Sequence, residues 1–427
     1  MVREMEKVTR TVLERTRDLT KRHRNKLVCV AALVASLASG IVFLGTYGEI
    51  GESATAYPSL ELESLAGVVY FSSDYREARG RFREAVKAAG ATSIETIPHP
   101  HAKGPKDETL SIDVAQFGPK DAKKFLVIVS GTHGVEGFAG SAIQVGLIRE
   151  QVVSSPPDGI GVLLIHALNP YGMANGRRFN EENVDLNRNF RDHSEPYPEN
   201  LKYEKLASVI APKSVSFWPE VGSWWRLLSY RARHGTKATQ AAISQGQYSH
   251  ADGLFYGGNS VAWSNTALRS IADRYLSKSK RVVVVDVHTG LGAFGDHEII
   301  LNDPVDSEVF QRAIGIWGNR VKSTMRDSAS PHVTGALKRG ITDNLGVQVT
   351  TVSLEFGTLP SIQVFKALRA ENWLHHHGDE NDPKAEAIKE SLLRAFYPNT
   401  VEWKALVWNQ GRDVIENVLS WLKKNPG

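Results

Sequence analysis

The sequence predicts an α/β fold whose central strands are covered by helices on both faces. Three observations carry this. Continuous apolar runs recur as KFLVIVS (Lys124–Ser130), GVLLIHA (Gly161–Ala167), RVVVVDV (Arg281–Val287) and VTTVSLE (Val349–Glu355). A strand with one wet face would alternate with polar residues instead. Helical spacing separates these runs, over Tyr75–Ala89, Ala139–Arg149, Ala267–Leu276, Val309–Arg320, Ile362–Leu374 and Lys384–Phe396. The composition, 41% apolar and 23% charged over 427 residues, excludes a disordered chain and leaves ample length for a core. The single cysteine, Cys29, excludes an internal disulfide and a cysteine-based zinc cluster, so any metal must be held by histidines and carboxylates.

Residues 1–26 hold nine basic and four acidic side chains, whereas the whole chain carries +4. The remainder is therefore close to neutral and offers no basic face for nucleic acid. Leu27–Leu44 is uncharged for eighteen residues and extends to Tyr47, just long enough for a membrane helix. The basic cluster before it and Glu49, Glu52, Glu61 and Glu63 after it put the N-terminus in the cytoplasm and the rest across the membrane. The rival reading is a secretory signal removed near Ala54-Thr55-Ala56, at about residue 56. The organisation expected is a basic segment 1–26, a signal anchor 27–47, a linker 48–66 and one α/β domain 67–427. An aromatic-rich insertion at about 195–265, with Trp218, Trp224, Trp225 and Tyr230, interrupts the domain.

In an open α/β sheet, ligands bind beyond the carboxyl ends of the strands, so the residues there are the candidates. The first strand opens into Gly131-Thr132-His133-Gly134-Val135-Glu136-Gly137, where His133 and Glu136 are three apart and can reach one ion. Taken alone, that pair is a weak signal among fourteen histidines. The second strand runs into a Gly/Asn/Asp-rich loop with Arg177, Arg178, Asn187 and Arg188, residues suited to bidentate recognition of a carboxylate. The third ends in Asp286-Val287-His288-Thr289-Gly290. With His133 and Glu136, His288 completes the ligand inventory of a catalytic zinc that keeps a position for water. The fourth ends in Glu355, a carboxylate that is costly at the end of an apolar strand unless it is paired or functional. His375-His376-His377 reads as a helix end in solvent, and His166 as a buried residue rather than a ligand.

In this order the residues resemble the zinc carboxypeptidases of the carboxypeptidase A type. They are also similar to the relatives that deacylate N-acyl amino acids, the aspartoacylase and succinylglutamate desuccinylase family. The phrases GTHGVEGFAGSA, RRFNEENVDLNRNF, DGLFYGG, VDVHTGLG and LEFGT look closer still to a branch of this superfamily recorded mostly as a domain of unknown function. The resemblance covers roughly Val68 to Leu422. It implies a mixed central sheet with helices on both faces and one Zn2+ ion held by His133, Glu136 and His288. Arg178 would polarise the scissile carbonyl, with Arg177 as a substitute, while Asn187 and Arg188 would hold the substrate's carboxylate. Glu355 would be the general base that later hands its proton to the leaving amine. The gap between Glu136 and His288 is longer than in carboxypeptidase A-type enzymes, and the tyrosine they use near the leaving group has no clear counterpart, Tyr248 and Tyr256 being candidates by location only.

The activity expected is zinc-dependent hydrolysis of an amide next to a free carboxylate, on a peptide or an N-acyl amino acid, with a slight preference for the peptidase. A non-catalytic surface binding module on the same fold is the rival. A serine hydrolase is disfavoured because no Gly-x-Ser-x-Gly elbow occurs.

Overall fold

In the computed structural model, residues 62–425 other than 329 and 344 are described. The basic segment, the apolar segment 27–47 and the signal-cleavage alternative lie outside them. Among the described residues, no helix is long and apolar enough to cross a membrane. A 3-10 helix over Leu62–Tyr70 spans the expected boundary between linker and domain.

The first half of the domain runs α1 (Tyr75–Ala88), β1 (Ser93–Lys103), β2 (Thr109–Phe117), β3 (Lys124–Ser130), α2 (Gly137–Arg149), β4 (Ile160–His166), α3 (Pro170–Ala174) and α4 (Leu186–Asn189). The expected insertion folds into α5 (Leu201–Ile210), α6 (Phe217–His234) and α7 (Thr236–Ser244). Then come α8 (Trp263–Leu276), β5 (Arg281–Phe294), β6 (His297–Leu301), α9 (Glu308–Trp317), β7 (Val321–Ser323), α10 (Lys338–Thr342) and β8 (Gln348–Gly357). The chain closes with α11 (Ser361–His377), α12 (Pro383–Phe396) and α13 (Val401–Lys424).

The eight strands form one sheet in the order β1-β2-β4-β3-β5-β8-β6-β7. β4, β3, β5 and β8 are parallel, and the neighbours β2 and β6 join them antiparallel. The parallel core consists of the four apolar runs read from the sequence. Alternate residues feed opposite faces: Leu126 and Ile128 join Phe82, Ile143 and Trp408 on one side, while Phe125, Val127 and Val129 join Leu268 and Ile271 on the other. Burying one such Leu or Ile side chain contributes about 1.5–3 kcal/mol, which favours the unbroken apolar stretches Phe125–Val129, Gly161–Ile165 and Val282–Val285; β8 differs, with Thr350, Thr351 and Ser353 among its apolar residues.

Some elements differ from expectation. The β1-β2 hairpin, β6, β7 and α13 lie outside the expected strands and helices, and β5 continues past Val287 to Phe294. His288 therefore sits within the strand, in register with Glu355 of β8. In the α11 triplet only His377 is exposed; His375 and His376 are half-buried, and burial pushes His375 down to about 3. This end of α11 is thus partly covered rather than solvated. His297 of β6 meets Gln410 of α13 at 2.5 Å.

Candidate functional site

The site is assembled at the carboxyl ends of β3, β5 and β8. After β3 the chain turns through Gly131, whose φ of +72° suits a residue without a side chain. A Cβ on Gly134 would lie 2.0 Å from the Gly172 carbonyl carbon, so only glycine lets this loop press against α3. The Gly134 and Val135 amides donate to the Arg178 and Arg177 carbonyls, both at 3.0 Å. Two loops far apart on the chain are thereby laced together, and Glu136, at the head of α2, comes to face Arg178.

His133, Glu136 and His288 are all buried, and one ligand atom from each lies within 4.8 Å of the others. Both imidazoles turn Nδ1 toward the same carboxylate, His133 at 3.0 Å from Oε1 and His288 at 3.0 Å from Oε2. Their Nε2 atoms are backed by aspartates: Asp185 Oδ1 at 3.1 Å from His133 and Asp286 Oδ2 at 2.6 Å from His288. A carboxylate behind an imidazole fixes the ring and, with a metal bound, holds the proton on Nε2 so that Nδ1 can give its electron pair to the ion. His133 Nδ1 is off the line of a hydrogen bond to Glu136 and has no bonded partner. An orphaned buried nitrogen in a His/Glu/His donor set fits a zinc ion.

Asp185 and Asp286, which back the two imidazoles, join the candidate site only in the structure. Asp286 had a signal, since two residues before His288 on a strand is the same face. Asp185 had none, because its loop reaches His133 only through the tertiary fold.

The two arginines separate. Arg177 is buried away from the site, bonding Glu371 of α11 at 2.5 Å and Asn183 at 2.9 Å. It is a structural ion pair and not a substitute for Arg178. Arg178 enters the cleft, donating from Nη1 to Glu136. Its guanidinium lies over the rings of Phe396 and Phe255, at 5.5 and 5.8 Å. Asn187 Nδ2 lies 3.3 Å from His288 Nε2. Arg188 donates to the Asn187 and Ser244 carbonyls at 3.0 and 2.5 Å, while its Nε is buried without a partner. Asp185, 3.9 Å away, neutralises it in part, so a guanidinium with spare donors lines the cleft.

The charges are strongly coupled. Burial opposes ionisation of Glu136 and Asp185, but His133 and Arg178 outweigh it at Glu136, and Arg188, His133 and Arg178 at Asp185; both carboxyls are held well below the usual range. Burial opposes a charged His288 as well, yet Asp286 and Glu136 raise it well above the ordinary value. Glu355 goes the other way: burial, then the Glu136 charge, push it up to about 8. Its Oε1 accepts from the Leu291 amide at 3.1 Å.

Around these residues is a cleft of about 300 Å3. His133, Arg178, Asn187, Arg188, His288 and Glu355 all line it, so the expected site residues converge on one cavity, with Glu136 buried behind them. Beyond them the wall is largely apolar, built by Trp224, Leu227 and Ile243 of the insertion and by Phe365 and Leu368 of α11. Of the adjacent Trp224 and Trp225, the first faces the cleft and the second faces outward. No tyrosine is among the described residues lining the cleft, and Tyr248 instead donates to the Arg188 carbonyl at 2.7 Å.

Among solved structures, the fold is similar to bovine thrombin-activatable fibrinolysis inhibitor, at 11% identity over 84% of this chain and 99% of that one, TM-score 0.44. It is similar to carboxypeptidase A from Helicoverpa armigera, at 12% identity over 88% of this chain and 81% of that one, TM-score 0.43. An aspartoacylase family protein from Mesorhizobium loti is 15% identical over 66% of this chain and 65% of that one, TM-score 0.30. No curated protein sequence matches the chain. Residues 71–410 match the family described as protein of unknown function DUF2817, and the chain belongs to that family.

Proposed function

We propose that the protein is a zinc-dependent hydrolase that cleaves an amide bond next to a free carboxylate, in the manner of a metallocarboxypeptidase. One observation carries the reading: two imidazoles present Nδ1 to a single buried carboxylate, each backed by an aspartate, beside a cleft-lining Glu355 in register with His288.

His133, Glu136 and His288 would hold the ion. Bound there, zinc would supply a Lewis acid that polarises the scissile carbonyl and lowers the pKa of a water. Glu355, which lines the cleft in register with His288, is placed to exchange protons with a water there. It takes the proton of the attacking water as oxygen adds to the carbonyl carbon. As the C–N bond breaks, it returns that proton to the leaving nitrogen. Arg178 donates to the oxygen that gains negative charge. Asn187 and the spare donors of Arg188 hold the substrate's carboxylate.

Deacylation of an N-acyl amino acid is the second reading, favoured by the apolar wall of Trp224, Leu227, Ile243, Phe365 and Leu368, which gives an acyl group a place to lie. The uncharged run at 27–47 adds the proposal that this hydrolase is tethered to a membrane with its domain outside the cytoplasm, or secreted if the segment is cleaved.

Metal analysis of the purified protein should find one zinc per chain. Hydrolysis of C-terminal dipeptides, N-acyl amino acids and γ-linked peptides, tested in parallel, should identify one class, with Glu355→Gln inactive. Stoichiometric zinc with no hydrolysis of any class would favour a binding module, and activity surviving Glu355→Gln would overturn the mechanism.

A further inference from the structure

Helix α6, in the insertion, has two apolar faces. One, with Trp224 and Leu227, is buried and lines the cleft. The other is open to solvent: Trp218 is 76% and Trp225 61% exposed. Seven residues apart, they lie almost in line along the helix, with Gly222, Ser229 and Ala232 continuing the stripe and Arg226 and Arg233 flanking it. A tryptophan buries roughly 150–250 Å2 when covered, so two left open on one stripe mark a surface that meets something.

The exposed charge along this stretch of chain has one sign. Between residues 211 and 245 every exposed charged side chain is basic: Lys213, Arg226, Arg231, Arg233 and Lys237. The one acid there, Glu220, is buried and takes two bonds of 2.8 Å from Arg369. The rest of the chain beyond residue 26 is close to neutral, so this is a local concentration. Tryptophan in line with flanking arginine and lysine is the composition of a helix lying in the interface of an anionic bilayer. The apolar surface also reaches the cleft mouth, where Leu228, 54% exposed, and Ile362, 39% exposed, line the rim. Seventeen residues, 45–61, separate the uncharged run 27–44 from the first described one. At about 3.5 Å per residue, that stretch would keep the domain within ~60 Å of a bilayer entered by the run.

We propose that the Trp218–Trp225 face of α6 seats the domain on an anionic lipid surface, with the rim of the cleft turned toward the lipid. The proposal concerns binding and stands or falls separately from the hydrolytic reading.

The test is quenching of tryptophan emission by brominated lipid. The full chain is reconstituted into phosphatidylcholine vesicles and into vesicles enriched in phosphatidylglycerol. Quenching should be stronger in the anionic vesicles and should weaken with salt. Trp218→Ala/Trp225→Ala should lose most of this lipid-dependent quenching while keeping the near-UV circular dichroism of a folded domain. Arg226→Gln/Arg233→Gln/Lys237→Gln, which retains all nine tryptophans, should lose the preference for anionic lipid. Equal quenching in the tryptophan variant and the parent would overturn the proposal. So would shielding of these tryptophans that follows protein concentration and not lipid, which would assign the face to a second copy of the chain.

Discussion

Replacing Asp286 with asparagine tests the metal centre without changing a ligand or the size of a side chain. Asp286 Oδ2 accepts from His288 Nε2 at 2.6 Å, and Oδ1 accepts from Thr132 Oγ1 at 2.7 Å. Asparagine keeps an oxygen for Thr132 but presents an NH2 group to Nε2. To accept from it, His288 must move its proton to Nδ1, the atom 3.0 Å from Glu136 Oε2. A protonated Nδ1 has no electron pair for a metal. Removing such a carboxylate behind a ligand weakens metal affinity about 10–100-fold, or about 1.4–2.7 kcal/mol. Competition with a chromogenic chelator, titrated with zinc on parent and variant, measures this directly. Denaturation of the metal-free proteins checks that the fold is retained. Asp185→Asn should act in the same direction through His133. Zinc affinity within twofold of the parent in both variants would refute the assignment of Nδ1 as the donating atom.

Three further outcomes are expected. Arg177→Ala leaves Glu371 buried without its cation and should destabilise the domain by about 3–5 kcal/mol in urea unfolding, most of it recovered in Arg177→Met/Glu371→Leu; a loss below 1 kcal/mol would contradict the pairing. His166, fully buried, bonded to Ser141 at 2.9 Å and stacked on Phe82, is pushed down to about 4 by burial. Between pH 4 and 6.5 the unfolded chain therefore binds a proton that the folded one does not. Stability should fall as pH falls through that window, by at most about 3 kcal/mol, and His166→Gln should flatten the slope measured between pH 5 and 7. Arg188→Ala should lower kcat/KM more than tenfold on a carboxylate-bearing substrate, through loss of charge-assisted bonds worth about 1.5–3 kcal/mol. An equal loss on the amide of the same substrate would refute its role as carboxylate anchor.

β3, β4 and the start of β5 are legible in the sequence because a strand covered on both faces is apolar along its length, a constraint written into consecutive residues. β1 was harder to read, as Pro98 and Pro100 interrupt SIETIPHPHAK and confine it to the sheet edge. The apolar spacing of α13, from Trp403 to Leu422, is present in the sequence, but not the face it covers.

For the site, the chemical inventory is already written in the residues: with no cysteine beyond residue 29, a metal could be held only by histidine and carboxylate, and His133 and Glu136 are neighbours on one turn. Which of the remaining residues join them depends on how the strands pair. The parallel pairing of β3 with β5 and of β5 with β8 carries His288 and Glu355 to that turn from 152 and 219 residues beyond Glu136. The same is true of the choice between adjacent arginines. Arg177 and Arg178 have the same chemistry, and their fates differ because Glu371, 194 residues along the chain, captures one and leaves the other facing Glu136. Residue types fix which bonds can form, while the partner that satisfies each buried charge is set by packing among segments distant in the chain.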